Sequence, residues 1–377
     1  MIYLDNAATT FPKPDAVYSK MDEVNRTLSV NAGRGSYKAA KEASLIIGET
    51  RDLLLDLFHA KGIGEICFTP SVTHAINQVL RGIQLKESST VYVTPYEHNA
   101  VARPLRMLQK EIGFDVELVP LTKDLKVDLD QTAYLFTCKN PSVVIANKLS
   151  NVTGYLLPAE DIFHLAKKYE AVTILDAAQA AGLIEIDMRK NDADVICFAG
   201  HKTLCGPFGI GGFALKHGVQ IVPVLAGGTG SDSLNLDMPE SAPDRYEASS
   251  PNIVAIAGLH AALNSLDQKV HFAHVVEMTD YLLSSLNSID SLHVVGGYEA
   301  GTTIGIVSFL VDGFTSSDIG CILDEEYDIA VRTGYHCAPY IHKYLNDMSY
   351  AGTVRVGLGP FTTKNDIDCL ISALESL

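Results

Sequence analysis

Short apolar runs alternate with amphipathic stretches along the first 215 residues of the chain. Runs rich in β-branched residues predict strands, and stretches with an apolar period near 3.6 residues predict helices between them. The predicted strands span 91–94, 115–120, 143–146, 172–176, 195–198 and 212–215, and the predicted helices span 71–82, 100–113 and 158–169. The alternation predicts an α/β fold, with a mostly parallel central sheet covered by helices on both faces.

The remaining residues predict a smaller α+β domain. Residues 227–251 contain many Gly, Ser, Asp and Pro and few periodic apolar positions, so we predict a long irregular segment there. Helices are predicted over 252–267, 280–287, 316–327 and 364–374, with a strand over 303–311. We therefore expect an N-terminal segment over 1–15 that packs with the small domain, a large domain over 16–255 and a small C-terminal domain over 256–377.

Composition and charge exclude several classes of protein. Of the 377 residues, 47% are hydrophobic and 20% charged, which is typical of a globular protein rather than a disordered one. The formal net charge of −16 opposes binding to nucleic acid or to acidic membranes. No signal-peptide pattern and no long apolar run is present, so we expect a soluble, cytoplasmic protein. The seven cysteines form no C-x-x-C pair, and neither a disulfide framework nor a metal site is indicated.

Polar residues follow several of the predicted strands: Glu97-His98, Ser150-Asn151, Asp176 and His201-Lys202. Ligands of such sheets bind at the carboxyl ends of the strands, so these side chains should converge.

Lys202 lies just after the end of a predicted strand and precedes a glycine-rich segment. A lysine there can be desolvated enough to act as the amine nucleophile that an aldehyde cofactor or carbonyl substrate requires, although a solvated loop lysine explains the same segment. Asp176, one βα unit earlier, could cap a helix or pair with a cationic ring nitrogen. An acid and an amine on adjoining strand ends fit a pyridoxal phosphate site.

Cys337 differs from the cysteines in apolar runs, such as Cys67 and Cys197, which we expect to be small buried hydrophobes. It lies between glycine and proline in a predicted loop, and a nearby arginine and histidine can stabilise its thiolate.

Eight motifs, taken in order, resemble those of the cysteine desulfurases of the class V pyridoxal-phosphate family. They are Asp5-Asn-Ala-Ala-Thr-Thr10, Asn31-Ala-Gly-Arg-Gly35, Glu97-His98-Asn-Ala100, Ser150-Asn-Val-Thr-Gly154, Asp176-Ala-Ala-Gln179, Gly200-His-Lys202, Glu247-Ala-Ser-Ser-Pro-Asn252 and Arg332-Thr-Gly-Tyr-His-Cys337. The resemblance covers nearly the full length, and the last motif resembles the branch with a short cysteine loop. It implies the type I fold of pyridoxal-phosphate-dependent transferases, a homodimer, and conversion of L-cysteine to L-alanine with a persulfide left for an acceptor protein.

The resemblance also implies roles for individual residues. Lys202 would bond the cofactor and move protons, Asp176 would hold the ring nitrogen protonated, Gln179 would donate to the phenolic oxygen, and His98 would stack on the ring and relay protons. The phosphate would lie against Val72, Thr73 and His201, and Ser250 would reach the phosphate of the neighbouring subunit. The substrate carboxylate would bind Arg355 and Asn151, with Asn151 also against the cofactor, while Arg332 and Arg34 would line the substrate side near the nucleophile Cys337.

Four positions depart from the family pattern: Val72 and Ala199 replace hydroxyl residues near the phosphate, and Tyr335 and Thr362 replace a histidine and an asparagine on the substrate side. A selenocysteine lyase, a cysteine sulfinate desulfinase, another C–S lyase or an aminotransferase on the same scaffold therefore stays open as an alternative. A non-catalytic sulfur carrier or scaffold protein is an alternative of a different class.

Overall fold

The computed structural model describes residues 1–32, 35–230, 234–296 and 301–377. Its strands, in chain order, are β1 (Ile2–Tyr3), β2 (Gly64–Thr69), β3 (Thr90–Val93), β4 (Asp115–Leu118), β5 (Val143–Asn147), β6 (Val172–Asp176), β7 (Val195–Ala199), β8 (Gly211–Lys216), β9 (Leu292–Val294), β10 (Ile306–Val311), β11 (Ile329–Ala330), β12 (Arg332–Gly334) and β13 (Thr353–Gly357). Its helices are α1 (Asp15–Thr27), α2 (Lys38–Leu57), α3 (Val72–Gly82), α4 (Asn99–Ile112), α5 (Leu129–Cys138), α6 (Ala159–Lys167), α7 (Ile253–Ser265), α8 (Gln268–Leu286), α9 (Ser316–Tyr327) and α10 (Lys364–Glu375).

A seven-stranded sheet in the order β2-β8-β7-β6-β5-β3-β4 forms the larger part of the fold. Strands β3 to β7 pair in parallel, and β8 runs antiparallel to both of its neighbours. The prediction of a mostly parallel sheet is thus confirmed. All the predicted strands and helices of this region are present within one to two residues of the expected ends.

The alternation of side chains along each strand builds a core on both faces of this sheet. On β5, Val143 and Ile145 pack into a cluster with Leu105 of α4, whereas Val144 packs on the opposite face into a cluster with Ile162 of α6. Successive side chains of a strand point to opposite faces, so a strand that is apolar at every position is buried on both. Cys67 and Cys197 lie fully buried in β2 and β7, as expected for small hydrophobes.

A smaller antiparallel sheet, in the order β12-β13-β10-β9, packs against α8, α9 and α10. Helices α9 and α10 both begin with a capping box, in which Thr315 pairs with Asp318 and Thr363 with Asp366. The N-terminal strand β1 pairs in parallel with β11 of this region. The prediction of an α+β arrangement after residue 256 matches these elements.

Three boundaries differ from the sequence prediction. Helix α8 begins at Gln268, capped by Asp267, rather than at residue 280, and β10 begins at Ile306 rather than at 303. Helix α7 spans the predicted domain boundary at 255 and packs against α1 and α2. The division of the chain into domains stays a prediction.

Residues 234–251 contain neither helix nor strand, and neither do the described residues 227–230, as expected for the long irregular segment. In the described residues no helix is long and apolar enough to cross a membrane.

Candidate active site

One cavity of about 230 Å³ lies between the carboxyl ends of the parallel strands and the smaller sheet. It brings together most of the residues that the sequence singled out: Val72, Thr73, His98, Asn151, Asp176, Gln179, His201, Lys202, Arg332, Cys337 and Arg355. Convergence of the strand-end residues His98, Asn151, Asp176 and His201-Lys202 is therefore observed, whereas Glu97 and Ser150 lie buried outside the lining.

Asp176 and Lys202 come from adjoining strands at the base of the cavity. Asp176 ends β6 directly opposite Cys197 of β7, and the chain reaches Lys202 three residues after β7 ends. Gly200 makes that turn possible, since a Cβ there would lie 2.8 Å from the carbonyl oxygen of Ile210.

Burial perturbs both groups of this pair. It lowers the pKa of Lys202 to about 8, although the negative charge of Asp176 acts in the opposite direction. Burial likewise raises the pKa of Asp176, whose Oδ1 accepts a hydrogen bond from the backbone N–H of Ala178 at 2.9 Å. A lysine with this pKa supplies a neutral amine near physiological pH, so the two groups suit nucleophilic and proton-transfer chemistry.

Two histidines in the cavity are held neutral. Burial lowers the pKa of His98 to about 3 and that of His201 to about 4, and the charge of Lys202 acts in the same direction on both. His98 caps α4, since its Nδ1 accepts from the backbone N–H of Ala100 at 3.0 Å, and this leaves the ring proton on Nε2. His201 stacks on Phe208 with ring centroids 4.7 Å apart, and its buried Nδ1 has no hydrogen-bond partner among the described residues.

The start of α3 borders the cavity beside His201. Ser71 caps this helix, and its Oγ accepts from the backbone N–H of His74 at 3.3 Å. The unpaired N–H groups of a first turn favour an anion. With the exposed hydroxyl of Thr73, this end of the cavity suits a phosphate group.

The N-terminal segment forms hydrogen bonds to the loop that carries Lys202. The hydroxyls of Thr9 and Thr10 donate to the carbonyls of His201 and Lys202 at 2.9 and 2.8 Å. Gln179 donates to the carbonyl of Ala7 at 2.8 Å and lines the cavity beside it. Residues at the beginning of the chain thus form part of the site.

Arg355 of β13 is almost fully buried and joins three parts of the chain. Its Nη2 pairs with Asp5 at 2.6 Å and its Nη1 donates to the carbonyl of Asn151 at 2.9 Å, while its buried Nε finds no acceptor in the residues that the structure describes. A buried arginine with unused N–H groups on a cavity is suited to bind a carboxylate.

Cys337 lies on a turn between β12 and β13, with its sulfur 3.6 Å from Nη2 of Arg332. Asn151 holds this turn, because its Nδ2 donates to the carbonyl of His336 at 2.8 Å. The remaining buried Oδ1 of Asn151 can only accept a hydrogen bond. Its predicted role toward a substrate carboxylate stays a prediction, for which the second N–H of Nδ2 is the donor.

Two predicted residues are not placed in this cavity. Ser250 is exposed and lines a separate, open groove of about 740 Å³, which borders the cavity at Thr73. Its predicted contact with a neighbouring subunit stays a prediction. Arg34 lies outside the described residues.

Sequence reasoning missed Ser71, His336 and Asp5 as site residues. His336 and Asp5 belong to two of the quoted motifs, and Ser71 is the first residue of the helix predicted over 71–82, near the position of a capping residue, so signals for all three were present. Burial lowers the pKa of His336 to about 2, and its buried Nδ1 has no hydrogen-bond partner within the described part of the chain.

Comparisons with known proteins agree with this geometry. The family model for aminotransferase class-V matches residues 2–370. A probable cysteine desulfurase of Methanothermobacter thermautotrophicus is 31% identical over all of this chain and 94% of its own length, and one of Streptomyces coelicolor is 30% identical over all of this chain and 91% of its own. The apo structure of a cysteine desulfurase from Thermococcus onnurineus superposes with a TM-score of 0.90 at 27% identity, covering all of this chain and 94% of the other. The chain therefore belongs to the aminotransferase class-V family and, within it, to the cysteine desulfurase group.

Proposed function

We propose that this protein is a pyridoxal-phosphate-dependent cysteine desulfurase, which converts L-cysteine to L-alanine and retains the sulfur as a persulfide on Cys337. The observation that carries the proposal is the single cavity in which Lys202 and Asp176 face Cys337, Arg332 and Arg355. An amine, a buried acid, a thiol and two guanidinium groups in one cavity match the chemistry of this reaction.

The residues present fit the cofactor. Lys202 would bond its aldehyde carbon, Asp176 would pair with its ring nitrogen, and the first turn of α3 with Thr73 and His201 would hold its phosphate. The unpartnered Nδ1 of His201 supports this assignment, since a buried polar atom needs a partner. When bound, the cofactor supplies an electron-withdrawing ring that stabilises the electron pairs left at the substrate's Cα and Cβ.

The protein's own groups would then carry out the remaining tasks. Arg355 binds the substrate carboxylate, and the amine of Lys202 removes the Cα proton. The sulfur of Cys337, beside the positive charge of Arg332, attacks the substrate sulfur. A sulfur–sulfur bond forms as the Cβ–S bond breaks, the electron pair stays on Cβ, and protonation of Cβ together with return of a proton to Cα completes alanine.

The proposal extends to two partners and a location. A second copy of the chain would place Ser250 against the phosphate of the first, and the large groove that Ser250 lines offers the surface for it. A sulfur-acceptor protein would remove the persulfide sulfur from Cys337, which is partly exposed. The expected location is the cytoplasm.

The test compares Cys337→Ser with the matched control Cys321→Ser, which changes an exposed thiol that does not line the cavity. With L-cysteine, Cys337→Ser should lower alanine formation by about 1000-fold or more while the absorbance of the lysine-bound cofactor persists. Mass spectrometry should find one added sulfur on Cys337 of the wild-type protein. Unchanged alanine formation in Cys337→Ser would contradict the proposal, and parallel assays with cysteine sulfinate and selenocysteine decide the preferred substrate.

A further inference from the structure

The turn that carries Cys337 has a backbone that needs support. His336 and Cys337 have φ angles of 44° and 58°, in the left-handed region that residues with a side chain seldom adopt. Two such residues in succession persist only where the surrounding contacts hold them. The position of the Cys337 thiol therefore depends on whatever fixes this turn.

Each carbonyl of the turn is held by a different part of the chain. The carbonyl of Cys337 accepts from the backbone N–H of Asn99 at 2.6 Å, at the start of α4. That of His336 accepts from Nδ2 of Asn151 at 2.8 Å, just after β5. These two contacts fasten the turn to the larger sheet.

The third carbonyl, that of Tyr335, is held by a buried histidine–aspartate pair. It accepts from Nε2 of His342 at 2.8 Å and from the backbone N–H of Ala338 at 3.0 Å. The other ring nitrogen of His342, Nδ1, bonds to the carboxylate of Asp347, and neither His342 nor Asp347 is more than 5% exposed.

The two hydrogen bonds of this pair use both ring nitrogens of His342. A backbone carbonyl can only accept a hydrogen bond, so Nε2 donates to Tyr335, while Nδ1 bonds to Asp347. The ring cannot turn without losing one of the two bonds, so its orientation is fixed.

We propose that His342, oriented by Asp347, is a positioning residue for Cys337. Through the Tyr335 carbonyl it keeps the turn in the conformation that places the Cys337 sulfur in the cavity beside Arg332. This inference rests on the proposed function, because the thiol is needed for the sulfur step and not for removal of the Cα proton by Lys202.

Two substitutions of His342 separate its two hydrogen bonds. The amide nitrogen of glutamine extends as far from the backbone as Nε2 of histidine, so His342→Gln can still donate to the Tyr335 carbonyl. The amide of asparagine extends only as far as Nδ1, so His342→Asn can pair with Asp347 but cannot reach Tyr335. The two variants thus form a matched pair that differs in the contact under test.

The experiment uses the cofactor-loaded protein with L-cysteine in deuterated water. His342→Asn should lower kcat for alanine formation by about 10- to 100-fold, with KM and the exchange of the substrate's Cα proton unchanged, whereas His342→Gln should stay within about threefold of wild type. Equal kcat values for the two variants would overturn the inference. So would a His342→Asn protein in which the rate of Cα-proton exchange falls as much as the rate of alanine formation.

Hydrogen–deuterium exchange of the backbone supplies a second reading that does not depend on activity. In His342→Asn the amides of Ala338 and Asn99 should exchange faster, while those of Val354 and Val356 on β13 stay protected. Faster exchange throughout β10 and β13 would show a general structural role instead and refute the positioning role. A wild-type protein that forms no alanine from L-cysteine would contradict the proposed function, yet these exchange rates would still decide the role of His342 in the turn.

Discussion

The two sides of the cavity hold their functional groups in different ways. One side, which we call the floor, consists of Asp176 and Lys202 at the ends of β6 and β7. The other side, which we call the wall, consists of Arg332, Cys337 and Arg355 on and between β12 and β13. The floor is built on buried strands, with Thr9 and Thr10 holding the loop of Lys202, whereas the wall joins the smaller sheet to distant segments of the chain.

The contacts of each side show the difference. Each floor residue lies at, or three residues beyond, the end of a strand whose side chains are all, or nearly all, buried. In the wall, Arg355 bonds to Asp5 and to Asn151, which lie 350 and 204 positions away. The floor should therefore tolerate changes in the smaller sheet, and the wall should be sensitive to how its sheet docks on the larger one.

The largest expected effect is on the floor. Lys202→Ala should lower alanine formation by about 1000-fold or more and abolish the absorbance of the lysine-bound cofactor, because Lys202 is the only lysine among the described residues that line the cavity. Alanine assays and absorbance spectra check this, with Lys190→Ala, an exposed lysine, as the control. A lysine-bound cofactor that persists in Lys202→Ala would refute its role.

Smaller kinetic effects are expected for substitutions in the wall. Of its two arginines, one should mainly affect KM and the other kcat. Arg355→Lys should raise KM for L-cysteine by about 10- to 100-fold, because an ammonium group cannot serve Asp5, the Asn151 carbonyl and a carboxylate in the same planar geometry. Arg332→Lys, beside the Cys337 sulfur, should lower kcat more than it raises KM. Steady-state kinetics measure both, and a change confined to kcat in Arg355→Lys would contradict carboxylate binding there.

The smallest expected effect is a shift in the pH dependence of cofactor attachment, which tests the two residues of the floor. Only the neutral amine of Lys202 attacks an aldehyde, so the rate at which cofactor-free protein bonds pyridoxal phosphate should rise with pH and level off above about 8, the pKa to which burial lowers this lysine. The charge of Asp176 raises that pKa, so Asp176→Asn should move the midpoint to lower pH. Stopped-flow absorbance measures the midpoint, and Asp115→Asn, an exposed carboxylate, should leave it in place. An upward shift in Asp176→Asn would contradict the assignment.

The sequence predicted the larger sheet well because its strands have an unambiguous pattern. Strands β5, β6 and β7 are apolar on both faces, and such runs end sharply. Helix α1 was not predicted, since only Val17 and Val24 of its 13 residues are buried, too few to show a clear period. The first half of α8 was missed because its buried stripe includes the polar residues His271 and Thr279.

The residues of the site also differ in how far the sequence could predict them. Asp176 and Lys202 could be singled out from strand ends alone, since the edge of a parallel sheet places them together. Arg355 was identified only through the resemblance to a known family, because no local pattern indicates contacts across hundreds of residues. Cys337 was singled out by its predicted loop and the nearby arginine and histidine, but its role as nucleophile was implied only by the resemblance. The pairing of Asp5 with Arg355 and the clamp of His342 on Tyr335 needed the structure.

The contacts of the N-terminal segment set an order for maturation of the site during synthesis. The ribosome makes Asp5 350 residues before Arg355, and every strand of the larger sheet is complete once β8 has been made. Because chains fold from the N-terminus as they emerge, a nascent chain can have Lys202 in place before Arg355, the arginine that we propose to bind the substrate carboxylate, has been made. Under the proposed roles, the cofactor can therefore bind during synthesis, whereas the substrate binds only after Arg355 has joined the site.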